Sequence, residues 1–189
     1  MNIFGWLLLI LAVLLLAGLC FLVAVIAIEI RRKLHAARGS LKPVPYPNIP
    51  RAIWTGLLGA AIFILFVSKL SPRLGLGEVD YPYLVGSALP TGFGLAESAR
   101  WLAGWLVCLF AGLGWALIYA FYVHERLPGP GWFQGLLYAG VGGSLISSLV
   151  FFPILGWMHP SVRTVLGNFL GHCLYGLTLG ILYRRQLIF

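Results

Sequence analysis

Few residues in this 189-residue chain have the chemistry to act on a substrate, and one of them sits at a costly depth. His172 falls near the middle of an apolar run, one helical turn after Asn168 and beside Cys173 and Tyr175. An ionisable side chain at bilayer depth marks a functional position by default, because its charged form is expensive to desolvate. Neutral imidazole costs far less. The first expectation is therefore a structural hydrogen bond from His172 to Ser144, Ser147 or Ser148 across a helix interface.

Ligation is the second expectation, with His172, Asn168 and Cys108 as the candidate polar or ligand site. A bis-imidazole haem site needs another histidine at similar depth, and His35, His124 and His159 all lie near the ends of apolar runs. Single-axial ligation of haem or chlorophyll through His172 stays open. A metal set of Cys108, His172 and Cys173 is awkward, because adjacent helical residues point about 100° apart. No metal is assigned.

Catalysis has little to stand on. No apolar run contains Asp or Glu, and the chain has no nucleophile motif or phosphate-cradling Gly-Lys-Ser/Thr loop. Glu97 and Glu125 lie beside Arg100 and Arg126, where local ion pairs account for them. Ion-coupled carriers place carboxylates at depth, so their absence disfavours such a carrier and leaves a passive path for a small solute.

The elements that must position these residues follow from composition. Hydrophobic residues make up 60% and charged residues 10% of the chain, with a mean hydropathy of +0.95. A soluble domain carries about 25% charged residues, so the solvent here is lipid. The net charge of +8 sits mostly beside apolar runs, where it orients helices and meets anionic headgroups, and nucleic acid is not expected. Three cysteines, all inside apolar runs, give no disulfide framework.

The expected fold is all-α and integral to the membrane, with five transmembrane helices. Residues 1–30 form an N-terminal span, residues 31–51 a basic, Pro-rich cytoplasmic linker, and residues 52–185 a four-helix bundle with an outer loop at 70–99. Spans are expected at about 3–28, 52–69, 100–123, 132–157 and 165–183. The alternating prolines of 43–50 exclude helix there and favour an extended strut. Nine basic residues (Arg31, Arg32, Lys33, Arg38, Lys42, Arg51, Arg126, Arg184, Arg185) face four (Lys69, Arg73, Arg100, Arg163) across that arrangement, giving N-out/C-in. Arg31, Arg32, Lys33, Arg184 and Arg185 are the expected headgroup contacts. Trp6, Trp54, Trp101, Trp132 and Trp157 sit near span ends, as interfacial belts do. The 70–99 loop is expected to hold short helices on the outer surface.

Small residues recur every fourth position: Gly131, Gly135, Ala139, Gly143 and Ser147 on the fourth span, Gly104, Cys108, Gly112 and Ala116 on the third, and Asn168, His172, Gly176 and Gly180 on the fifth. Lipid offers no hydrophobic gain for helix association, so close packing through such stripes must supply it. A tight right-handed bundle is expected. The second and fourth spans also match at an offset of 79, and the third and fifth at 64, which predicts two duplicated hairpins, 52–123 and 132–185, about a pseudo-two-fold along the membrane normal.

The run from Leu166 to Tyr183 carries His172, Gly176, Gly180 and Tyr183 in the pattern His-xxx-Gly-xxx-Gly-xx-Tyr. With Val150–Gly156 and Ile53–Leu58, it resembles a family of small bacterial multi-pass inner-membrane proteins of unknown function. Members often carry a histidine where this chain has Cys108. The resemblance implies a bacterial inner (cytoplasmic) membrane protein and no activity. Together these readings predict a non-enzymatic accessory or assembly subunit docked to other membrane subunits, within an energy-transducing complex. The alternative is a passive channel or transporter with His172 lining its cavity.

Overall fold

A computed structural model describes residues 44–77, 79–88, 96–124, 126–154, 160–183 and 186–188. The expected N-terminal span, Arg31, Arg32, Lys33, Arg184 and Arg185 lie outside these residues, as do Glu125 and His159. The chain divides into two compact units. In the smaller, strand β1 (Val44–Tyr46) pairs antiparallel with β2 (Gln186–Ile188), Val44 opposite Ile188. The larger, Pro47–Arg184, is helical and holds the candidate site residues.

Four helices of the larger unit are long and apolar enough to cross a membrane: α1 (Ile49–Arg73), α3 (Glu97–Val123), α4 (Gly131–Phe151) and α5 (Val162–Leu182). Between α1 and α3 lies a seven-residue helix, α2 (Tyr81–Ser87). α1 starts at Ile49, inside the stretch whose prolines were expected to exclude helix. Pro50 falls in the first turn, where the missing N–H would have had no partner, and the Asn48 side chain caps by accepting from the Arg51 N–H at 3.1 Å. Asp80 and Ser161 cap α2 and α5 in the same way.

The spans pack in the order α3–α1–α5–α4, with α2 laid on α3. Backbones approach where side chains vanish. A Cβ at Gly56 would meet Ala116 and the Gly112 backbone, and one at Gly112 would meet Ala60. On the other pair of spans, a Cβ at Gly135 would fall on the Gly176 carbonyl, and Gly131 and Gly180 oppose one another likewise.

In α4 the four-residue stripe is kept aligned by its winding. In a uniform α-helix, four residues overshoot one turn by about 40°, and the stripe would spiral away. Leu136–Gly143 and Ser147–Phe151 instead make wider π turns, which close one residue later and hold the stripe toward α5.

The ring of helices is not closed. α3 and α4 do not pack along their length. They meet through the Tyr138 hydroxyl donating to the Trp115 carbonyl at 2.9 Å, with the Trp115 and Tyr119 rings each 5.5 Å from the Tyr138 ring. These bridges lie toward the ends joined through Pro130. Nearer the Asp80 end the two spans part, so the tight bundle expected from the stripes is tight on three sides only.

Candidate functional site

The gap leaves a cavity of about 180 Å³ between the spans. His172, the midpoint of α5, lines it together with Phe63 of α1, Cys108 of α3, and Gly143 and Ser147 of α4. α2 contributes Tyr81. Most of the wall is apolar, and among the described residues no charged side chain lines it.

His172 does not make the serine hydrogen bond its sequence context suggested. Its Nε2 is buried with no hydrogen-bond partner among the described residues, and its ring lies against Phe63, with centroids 4.7 Å apart, and against Gly143. A Cβ at Gly143 would come within 2.9 Å of Nδ1, so that glycine is what lets the imidazole lie against α4. Ser144 donates to the Val141 carbonyl of its own helix, and Ser147 is engaged one turn before His172 on α5, at Asn168.

That neighbouring cluster ties three elements together. The Tyr81 hydroxyl donates to Asn168 Oδ1 at 2.6 Å and lies 2.9 Å from the Ser147 hydroxyl, which is itself 3.4 Å from Asn168 Oδ1. Asn168 is fully buried and its Nδ2 has no partner among the described residues. Tyr81 belongs to a helix expected to lie on the outer surface, yet α2 is tucked inward. Gly86 and Gly104 lack the side chains that would hold α2 and α3 apart: a Cβ at Gly86 would strike the Arg100 carbonyl, and one at Gly104 the Pro82 carbonyl. The Asp80 cap followed by Pro82 was a readable helix-start signal, but nothing in the sequence gave its depth.

Of the other expected site residues, Cys108 faces the cavity and Cys173 does not: a Cβ at Gly140 would lie 3.0 Å from the Cys173 sulfur. Among the described residues no three potential ligands come together to hold a metal ion. Gly112, Gly131, Gly135, Gly176 and Gly180 sit at helix–helix contacts, and Ala139 and Gly143 reach the cavity wall. Glu97 and Arg100 do not form the expected ion pair. They flank a recess of about 40 Å³ with Tyr83, Ser87 and Trp101, and Arg100 Nε is buried without a partner among the described residues.

An engineered cavity of about 150 Å³ holds benzene, so the space beside His172 takes one six-membered ring and not a haem or chlorophyll macrocycle. What the arrangement can do chemically is hold something small and uncharged against a few hydroxyl, thiol and imidazole groups. No known family pattern, curated protein or solved structure matches this chain.

Proposed function

We propose that this is a non-enzymatic multi-pass membrane protein that holds one small uncharged molecule in the cavity beside His172. The observation carrying the reading is the cavity itself, at the midpoint of a span, with apolar walls and a cluster of neutral polar groups. Ligand sites are concave, mostly apolar and equipped with a few placed polar groups, and a dry scaffold has no need of one. A through-pore is less favoured. Trp115, Tyr119 and Tyr138 bridge the gap toward one end and α2 is tucked in near the other.

The finer architecture belongs to the same proposal: a first span over 1–30, five spans in all, N-out/C-in, in a bacterial inner membrane. The duplicated hairpins draw support from contacts that repeat at the offsets of 79 and 64. Gly56 meets Gly112 and Ala116, and Gly135 meets Gly176 and Gly180; Ala60 faces Gly112, and Ala139 faces Gly176.

Native mass spectrometry of protein purified in mild detergent, with a visible spectrum on the same peak, tests the reading. A one-to-one small-molecule adduct that disappears when Cys108→Phe fills the cavity supports it. Protein that stays free of any adduct, even after exposure to excess phenol, overturns it. Stoichiometric protein partners on that peak, with no adduct, would make the accessory-subunit reading the better one.

A further inference from the structure

We infer that the cavity takes its ligand sideways from the bilayer, between α3 and α4, and that the ligand is a single uncharged ring bearing an oxygen substituent and an apolar tail. This rests on the binding reading above and adds to it the route and the chemical class.

The route follows from exposure. Most of the wall is enclosed, but Val107 and Ala111 of α3 and Phe151 of α4 line the cavity and are also exposed on the outer surface. They stand on the two spans that part, so they mark the mouth. Val107 and Ala111 stand in the middle of α3, so the mouth opens on the flank of that membrane-spanning helix, with Phe151 at the end of α4 on its other side. Its surroundings are apolar: Leu106, Phe110, Leu145 and Leu149 are all exposed beside it. A water-borne solute would meet this opening only after entering lipid. A lipid-soluble one meets it directly.

The class follows from volume and polarity. At about 180 Å³ the space holds one six-membered ring with no room left for a long tail, so such an amphiphile's tail must stay outside, along that apolar flank. A charged head is disfavoured, because the described residues of the wall offer no charged partner to repay desolvation. An oxygen on the ring has a place to bond. The Ser147 hydroxyl can turn from its 2.9 and 3.4 Å partners to a ligand while Tyr81 keeps its 2.6 Å bond to Asn168. The Phe63 ring, already against His172, provides an aromatic face for the ligand ring.

The test uses 4-decylphenol and tail-less phenol as probes of the full-length protein, with adducts counted by native mass spectrometry. The expected result is a saturable one-to-one adduct with 4-decylphenol that Ala111→Phe removes by blocking the mouth. Ser147→Ala weakens it about threefold or more, the value of one neutral hydrogen bond. Leu58→Phe, on the exposed surface of α1 away from the lining and the α3–α4 flank, leaves it unchanged. Val107→Phe repeats the blocking test should Ala111→Phe fail to fold. If phenol binds as tightly as 4-decylphenol, or if both blocked variants still bind it, the lateral route falls while the cavity reading stands. If neither probe gives a saturable adduct, both fall.

Discussion

The Tyr81 hydroxyl donates to Asn168 Oδ1 at 2.6 Å and so fastens a seven-residue helix from the 74–96 connection to the interior face of the last span. Tyr81→Phe removes that donor and leaves Asn168 Oδ1 with only the Ser147 hydroxyl at 3.4 Å. Losing one buried hydrogen bond costs about 0.5–1.5 kcal/mol, so the variant is expected to unfold at lower temperature in detergent. Burial also raises the Tyr81 phenol above its ordinary value of 10.0. The folded state keeps this proton where the unfolded chain has lost it, so Tyr81 contributes a loss of stability as pH rises past about 10. Tyr81→Phe should abolish that contribution, and melting curves at pH 8 and pH 10.5 compare the two proteins.

Glycines in these spans divide by what lies opposite them. A Cβ at Gly135 would fall on the Gly176 carbonyl, which is backbone and cannot step aside, whereas one at Gly114 meets nothing within 4 Å. Gly135→Ala is expected to force α4 away from α5 and destabilise the protein severely. Gly114→Ala should instead stabilise by up to about 1 kcal/mol, the helix-propensity difference. Thermal unfolding of the two variants side by side checks the sign of each.

This division explains how much the sequence could disclose. Gly131, Gly135, Gly176 and Gly180 announced close contacts because only missing side chains permit them in lipid, and a four-residue spacing is visible without coordinates. The π turns that keep the α4 stripe aligned left no such mark. Nor could the gap between α3 and α4 be read: Val107, Ala111 and Phe151 look like any lipid-facing residues until the spans are seen to part. His172 was visible as unusual, but two of the three serines offered as partners, Ser144 and Ser147, proved to be committed to Val141 and to the Tyr81–Asn168 cluster. Which of several nearby hydroxyls a side chain meets depends on helix rotation, and a one-dimensional pattern does not fix rotation.

His172 gives the sharpest separation of structure from function. Its Nε2 is buried and has no partner among the described residues, so the imidazole carries a desolvation cost that no hydrogen bond from them offsets. His172→Phe keeps a ring against Phe63 and Gly143 while removing the orphaned polar atom. Stability equal to or above that of the parent protein is expected. His172→Ala should lose stability, because a ring contact at 4.7 Å is replaced by empty space. A melting temperature for His172→Phe several degrees below the parent would mean that the imidazole bonds to something, such as a retained ligand.

Gln134 holds the turn between α3 and α4, and with it the closed end of the gap. Its Nε2 donates to the Leu127 carbonyl at 2.7 Å and to the Gly129 carbonyl at 2.9 Å, while its Oε1 lies 2.6 Å from His124 Nδ1. The His124 ring in turn lies beside Tyr119 and Tyr183, at 5.6 and 5.2 Å. Gln134→Leu keeps the bulk but strands two carbonyls and one imidazole nitrogen, each worth about 1–3 kcal/mol if it stays buried and less if water reaches it. The turn is expected to loosen before the bundle unfolds. Hydrogen exchange should therefore rise first across residues 126–134 and only later in α5. A variant whose exchange rises uniformly would show that Gln134 supports the whole bundle and not this turn in particular.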